Sequence, residues 1–143
     1  MQVNFYDSVD DDLLKFAVII AKADGKWVFC KHKERETYEI AGGHRESGES
    51  ILETAKRELN EETGAKDFSI KPVCVYSVIG KNRVNDTGEE MYGMLYFAQI
   101  TNFEEELHCE MEKVVLFDEL PTEWTYPLIQ PKLIKEAERR GYL

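Results

Sequence analysis

GGHRESGESILETAKRELNEETGA, residues 42–65, changes its hydrophobic pattern part-way along. Up to Glu49 it is glycine-rich and polar; from Ser50 onward Ile51, Leu52, Ala55 and Leu59 fall on one stripe at helical spacing. Ser50 and Glu53 make a capping box that opens the helix, and Gly64 supplies the left-handed residue that closes it. Near its end this helix crowds Glu58, Glu61 and Glu62 at spacings of three and four, where side chains of neighbouring turns meet. In water each such like-charged pair costs only a few tenths of a kcal/mol, so a solvated acidic face is the plain reading. At about 100° per residue, however, Glu62 falls within the angular range of the apolar stripe, Glu58 lies just off its edge and Glu61 further round. A carboxylate turned toward the core needs a partner, because an unpaired buried charge costs several kcal/mol. Arg57 is expected to balance one of the three, whereas a hard divalent cation, which prefers oxygen ligands, can meet them together. Upstream, Gly42-Gly43 is expected to form a tight loop whose backbone can approach a metal or a phosphate closely.

Outward from this segment, LKFAVIIAK (Leu14 to Lys22) and KWVFCKH (Lys26 to His32) flank Asp24-Gly25, a tight-turn signal that predicts a hairpin. TYEI is a short extended piece leading into the double glycine. After the helix, SIKPVCVYSVI, MYGMLYFAQI and KVVLFDEL are expected to be strands, the first two separated by the polar GKNRVNDTGEE. Pro131 can begin a second helix with Leu133, Ile134 and Ala137 on its stripe and Gly141 beyond its end. The order of elements suggests an α/β fold with a mixed sheet covered by helices.

Composition narrows the class. At 143 residues, 43% apolar and 32% charged, the chain fits one globular domain, residues 1–143. Its longest apolar run, FAVIIA, has strand length and is far short of a bilayer span, and MQVNFYDSVDDD is acidic where a signal peptide would be basic, so the cytoplasm is the default. Cys30, Cys74 and Cys109 are far apart and form no CxxC pair, which suggests reduced thiols in the core. A formal charge of −10 repels a polyphosphate backbone, which argues against sequence-independent nucleic-acid binding but leaves room for a small phosphate-bearing ligand held through metal ions.

With the charged set in place, GGHRESGESILETAKRELNEETGA resembles the signature of the Nudix hydrolases, metal-dependent enzymes that cleave nucleoside diphosphates linked to another group. Gly43, Glu49, Arg57, Glu58, Glu61, Glu62 and Gly64 match the seven invariant positions of that pattern, while Ala41 and Ala65 stand where many members have proline and a larger aliphatic residue. The resemblance implies a Nudix-type α/β/α sandwich, a mixed β-sheet between helices. It implies that Glu58, Glu61 and Glu62 bind Mg²⁺ or Mn²⁺ with the Gly42 carbonyl as a further ligand, that Arg57 orients the glutamates, and that Glu49 helps to fix the loop. Glu110, in FEEELHCEMEKV, is the implied assisting base, in competition with Glu104, Glu105, Glu106 and Glu112. His44 and Arg45 are candidates for phosphate contacts, and Tyr38, Phe5 and Tyr6 for stacking on a base; His32 and His108 are expected to have ordinary roles. The implied reaction is Mg²⁺-dependent hydrolysis of a phosphoanhydride in a nucleoside triphosphate or nucleoside diphosphate derivative, by a monomer or homodimer that takes a small nucleotide and needs no membrane. Hydrolysis of ADP-ribose or a nucleotide sugar is the alternative within catalysis, and nucleotide sensing without cleavage the alternative outside it.

Overall fold

The computed structural model describes residues 1–81, 87–105 and 111–143. Within them, β1 (Gln2–Tyr6), β2 (Leu14–Ala23), β3 (Lys26–His32), β4 (Tyr38–Glu39), β5 (Ala41–His44), β6 (Ala65–Ile79), β7 (Met91–Phe103) and β8 (Met111–Phe117) form one sheet, with helices α1 (Ile51–Thr63) and α2 (Gln130–Arg139). The strand order is β1-β6-β7-β2-β3-β4, with β5 paired to β2 and β8 to β3. Only β2 and β7 run parallel among the paired strands, so the sheet is mixed.

β2 explains the layering. Its side chains alternate between faces, and both sets are apolar because both faces are covered. Ala17, Ile19 and Ala21 join Ala55 and Leu59 of α1 in one cluster, while Phe16 and Ile20 join Leu133, Ile134 and Ala137 of α2 in the other. The helices therefore lie on opposite faces, as the expected sandwich requires. Cys30 and Cys74 are buried free thiols, one in each cluster; Cys109 lies outside the described residues.

α1 starts and stops where its caps predict. The Ser50 hydroxyl accepts from the Glu53 N–H at 3.1 Å, Glu53 accepts from the Ser50 N–H at 3.0 Å, and Gly64 takes φ 75°. One member of the expected stripe is corrected: Leu52 is 39% exposed, and Thr54, fully buried, takes a place on the inner face. Three further differences come from pairing. QVNFY becomes β1, which the sequence pattern does not signal, because β6 offers it an edge along Val75–Ile79. β6 begins at Ala65, four residues before the expected strand, with register shifts around Asp67 that let it follow β7 to its end. β8 ends at Phe117, before the expected DEL extension.

The fourth difference positions the site. β2 and β3 pair only beside their shared turn, through Ala21–Ala23 and Lys26–Val28, and then part. Residues 38–44 enter the fork, with Tyr38 and Glu39 pairing to β3 and Ala41–His44 pairing to β2. Gly42-Gly43 is therefore a strand segment, not the tight loop expected, and its close approaches are made from within the sheet.

Candidate functional site

Both glycines of β5 are required by contact. A Cβ on Gly43 would lie 2.4 Å from the Glu58 carboxylate, and one on Gly42 would lie 2.4 Å from Val18 Cγ1 and 2.7 Å from the Ala17 carbonyl oxygen. β5 can thus lie directly under the C-terminal half of α1. The Gly42 N–H donates to Glu62 Oε1 at 2.6 Å, so the carboxylate that the stripe turns inward is met by the backbone of the double glycine.

Arg57 gathers the remaining glutamates. Its Nε and Nη2 donate to the two oxygens of Glu49 at 2.7 and 3.0 Å, Nη1 donates to Glu58 Oε1 at 2.7 Å and to Glu61 Oε2 at 3.3 Å, and Nη2 also donates to the His44 carbonyl at 3.1 Å. One positive charge balances only one carboxylate, yet the planar fork of five donors bonds three, Glu49, Glu58 and Glu61. Thr54 Oγ1 donates to Glu49 Oε1 at 2.7 Å and holds that carboxylate from the other side. No sequence signal marked Thr54 beyond its place on the same helix face as Arg57 and Glu58.

The electrostatics follow from this arrangement. The bonds from Arg57 and then Thr54 hold the Glu49 carboxyl down at about 2. Glu58 is raised above the usual carboxylate range, because burial outweighs the bond from Arg57. Glu62 is raised well above it, first by burial and then by the charges of Glu58, Glu39 and Glu61, against the favourable Gly42 N–H. Among the described residues Arg57 is the only cation paired to this set: Glu49, Glu58 and Glu61 share its guanidinium, and Glu62 is met by the Gly42 N–H instead. The donor set is all oxygen and short of positive charge, which fits a hard divalent cation. Among the described residues no three acidic, His or Cys side chains already converge as a metal cage; Glu58 and Glu61 both lean on Arg57. The residues nominated by the sequence for a cation, Glu58, Glu61, Glu62 and Gly42, all lie where β5 meets α1.

Other expected residues divide. The Arg45 guanidinium is committed to the Glu49 carbonyl at 2.8 Å, the Asp11 carbonyl at 3.0 Å and the Asp11 carboxylate at 2.9 Å, so it braces the segment before α1 instead of facing a phosphate. The His44 ring stands edge-on to Phe16, with centroids 6.2 Å apart. Tyr38 packs on Phe117 at 5.1 Å, Phe5 packs against the α2-side cluster, and Tyr6 donates to Glu90 at 2.8 Å. Glu110 and His108 lie outside the described residues.

On the α2 face of the same two glycines opens a cleft that the sequence did not announce. Its ring-bearing residues are Phe16, His44, Tyr76 and Tyr126, its far wall is Ile129 and Leu133 of α2, and Glu39 and Gln130 also border it. β5 is shared by the cleft and the glutamate cluster, which therefore meet across a single strand.

The fold is shared with known proteins. The NUDIX domain model matches residues 13–137. Over 122 residues the chain is 37% identical to YtkD of Bacillus subtilis (strain 168), named as a candidate 8-oxo-dGTP diphosphatase, covering 85% of this chain and 73% of that protein. A mutant of the Bacillus subtilis pyrophosphohydrolase BsRppH superposes with TM-score 0.79 at 30% identity, over 99% of this chain and 91% of the other. A NUDIX hydrolase from Nitrosomonas europaea, at 22% identity and TM-score 0.68, shares the fold over 88% of this chain and 89% of its own.

Proposed function

The chain belongs to the Nudix family and is a hydrolase of phosphoanhydride bonds, and from that premise we propose that it cleaves a nucleoside triphosphate or nucleoside diphosphate derivative with Mg²⁺ held by Glu58, Glu61, Glu62 and the Gly42 carbonyl. The observation that carries this reading is the Arg57 hub, which sets Glu58 and Glu61 beside the Glu62–Gly42 clamp. When bound, the cation would neutralise the non-bridging oxygens of the scissile phosphates and lower the pKa of a water. The protein's own groups do the positioning. Glu49 and Thr54 fix the guanidinium; the guanidinium fixes Glu58 and Glu61; the Gly42 N–H fixes Glu62. The similarity to YtkD brings 8-oxo-dGTP among the triphosphates to be tried. A phosphate- and pyrophosphate-release screen across nucleotide classes with Mg²⁺, repeated in EDTA, is expected to show turnover that EDTA abolishes. Equal turnover in EDTA, or none with any phosphoanhydride, would refute the reading.

The glycine contact supplies a second expectation. In Gly43→Ala the new methyl group must push the Glu58 carboxylate off its present place, since 2.4 Å is far inside contact distance. The displaced atoms are the end of a side chain, so the fold should persist while kcat falls by about 10- to 100-fold, the effect of disturbing an oriented ligand. Unchanged kcat would show that Glu58 is not needed where it lies.

A further inference from the structure

Ala41–His44 pair with β2, and Tyr38 and Glu39 pair with β3, but Ile40 stands at the mouth of the fork and belongs to neither ladder. Alternate N–H groups of an extended chain point to the same side, and those of Ile40 and Gly42 are both taken by side chains instead of by β2. Gln130 Oε1 accepts from the Ile40 N–H at 3.0 Å, and Glu62 Oε1 accepts from the Gly42 N–H at 2.6 Å. One acceptor comes from α2 and the other from α1, so this strand edge is gripped from both faces of the sheet, at points about 7 Å apart along the chain. Ile40 and Gln130 are both buried, where a backbone N–H left unmet is costly. Gln130 is itself held: its N–H donates to the Tyr126 carbonyl at 3.0 Å, Pro131 follows it in the first turn of α2, and Leu133, Ile134 and Ala137 seat that helix in the core. The amide therefore reaches Ile40 from a fixed base.

Resting on the metal-dependent reading above, we propose that Gln130 is a positioning residue for the metal site: its bond to Ile40 fixes the height at which β5 presents Gly42 to Glu62. The strand has little slack between the two bonds. Ala41, which separates them, is buried and pairs with Ile19 of β2, and Gly42 lies so close to Val18 and the Ala17 carbonyl that a Cβ there would clash. A shift at Ile40 is thus carried into Gly42, and the Glu62 carboxylate must follow or lose its bond. Partners one step behind a metal ligand commonly change its affinity by about 10- to 100-fold. Thr37 offers a comparison within the same region. Its hydroxyl meets that of Thr125 at 2.7 Å and ties the segment before α2 to the segment before β5. Between Thr37 and Ile40, however, Tyr38 is paired to β3 and bonded to the Glu123 carbonyl and the Thr125 N–H at 2.8 and 2.9 Å. Loosening Thr37 should therefore not reach Gly42.

The test compares the parent with Gln130→Met, which keeps the length of the side chain but has no oxygen, and with Thr37→Val. Three quantities are read: binding of Mn²⁺ alone by electron paramagnetic resonance, hydrogen exchange of the Gly42 amide in metal-free protein, and the Mg²⁺ dependence of kcat for the nucleoside triphosphate that the parent cleaves best. Measuring Mn²⁺ without nucleotide keeps any contact between Gln130 and the substrate out of the result. Gln130→Met is expected to bind Mn²⁺ about 10-fold more weakly, to exchange Gly42 about 10-fold faster and to need correspondingly more Mg²⁺, while Thr37→Val stays within about threefold of the parent on all three. Because coupling is reciprocal, Mg²⁺ should in turn slow exchange of the Ile40 amide in the parent by about the same factor, beyond any change in the β1 amides, and this measurement needs no variant to fold. A folded Gln130→Met that matches the parent in Mn²⁺ affinity or in Gly42 exchange overturns the proposal. So does a Thr37→Val that weakens Mn²⁺ binding as much, or an Ile40 amide that Mg²⁺ leaves unchanged. A parent that neither binds Mn²⁺ nor hydrolyses a phosphoanhydride strikes the metal-dependent reading itself; a parent that does both, with Gln130→Met unchanged, strikes this inference alone.

Discussion

Glu61→Gln is expected to lose roughly 10²- to 10³-fold in turnover at ordinary Mg²⁺ while melting, without metal, where the parent melts. The loss corresponds to several kcal/mol of charge stabilisation at the reacting phosphates, which depends on an anionic ligand that the amide cannot replace. Stability should not follow, for geometric reasons. Glu61 is the least buried of the helix glutamates paired to Arg57, with 38% of its side chain exposed, and its 3.3 Å contact is the longest of that set. Exposed pairs of this kind contribute no more than about 1 kcal/mol, and here relief of repulsion from Glu58 and Glu62 offsets part of it. A merely solvated acidic face predicts unchanged turnover. Steady-state kinetics and metal-free melting on one preparation separate the cases: retained turnover removes Glu61 from the metal site, and a large fall in metal-free stability would mean that it has a structural partner.

Arg57→Ala should damage both activity and stability. Its guanidinium holds Glu49 through two bonds and Glu58 through one, at 2.7 to 3.0 Å, and also ties down the His44 carbonyl. Without it Glu58 and Glu61 lose their orientation, and kcat should fall by about 10- to 100-fold even with Mg²⁺ saturating. Melting should fall by several degrees at neutral pH, because mostly buried carboxylates are left without their cation. The pH dependence carries a sign that can be checked. Glu49 is held down at about 2 in the folded parent, against about 4.3 in the unfolded chain. Its contribution is therefore complete above about pH 4.3 and is lost as pH falls toward 2. The gap in melting temperature between parent and variant should accordingly narrow as pH drops through that window; a gap constant from pH 6 to 2.5 would show that Arg57 does not act through Glu49.

Much of the site could be read from residues 42–65 because it is written in short-range terms. Helix period, the Ser50–Glu53 box, the αL residue at Gly64 and the three- and four-residue spacing of Glu58, Glu61 and Glu62 each depend on residues within about one or two turns, and the structure keeps all of them. The Leu14–His32 hairpin belongs with them, since its turn and both strands are neighbours in the chain. The errors were of another kind. QVNFY has little pattern of its own and became a strand when β6 presented an edge; Gly42-Gly43 was expected to be a loop because local composition cannot show that β2 and β3 part and leave a fork to be filled.

Tertiary structure alone decided how the charges are shared and where the cleft beside them opens. The Glu62–Gly42 bond joins residues 20 apart, and the bond from Ile40 to Gln130 joins residues 90 apart. Neither residue of the latter pair carries a local signal for the other. Sequence spacing could state that three carboxylates crowd one helical face, which is a matter of geometry along one axis. Which backbone amide meets Glu62, how many glutamates one guanidinium reaches, and that Gln130 meets the Ile40 N–H depend on the packing of β5 between α1 and α2, which exists only once the long-range strand pairing has closed the sheet.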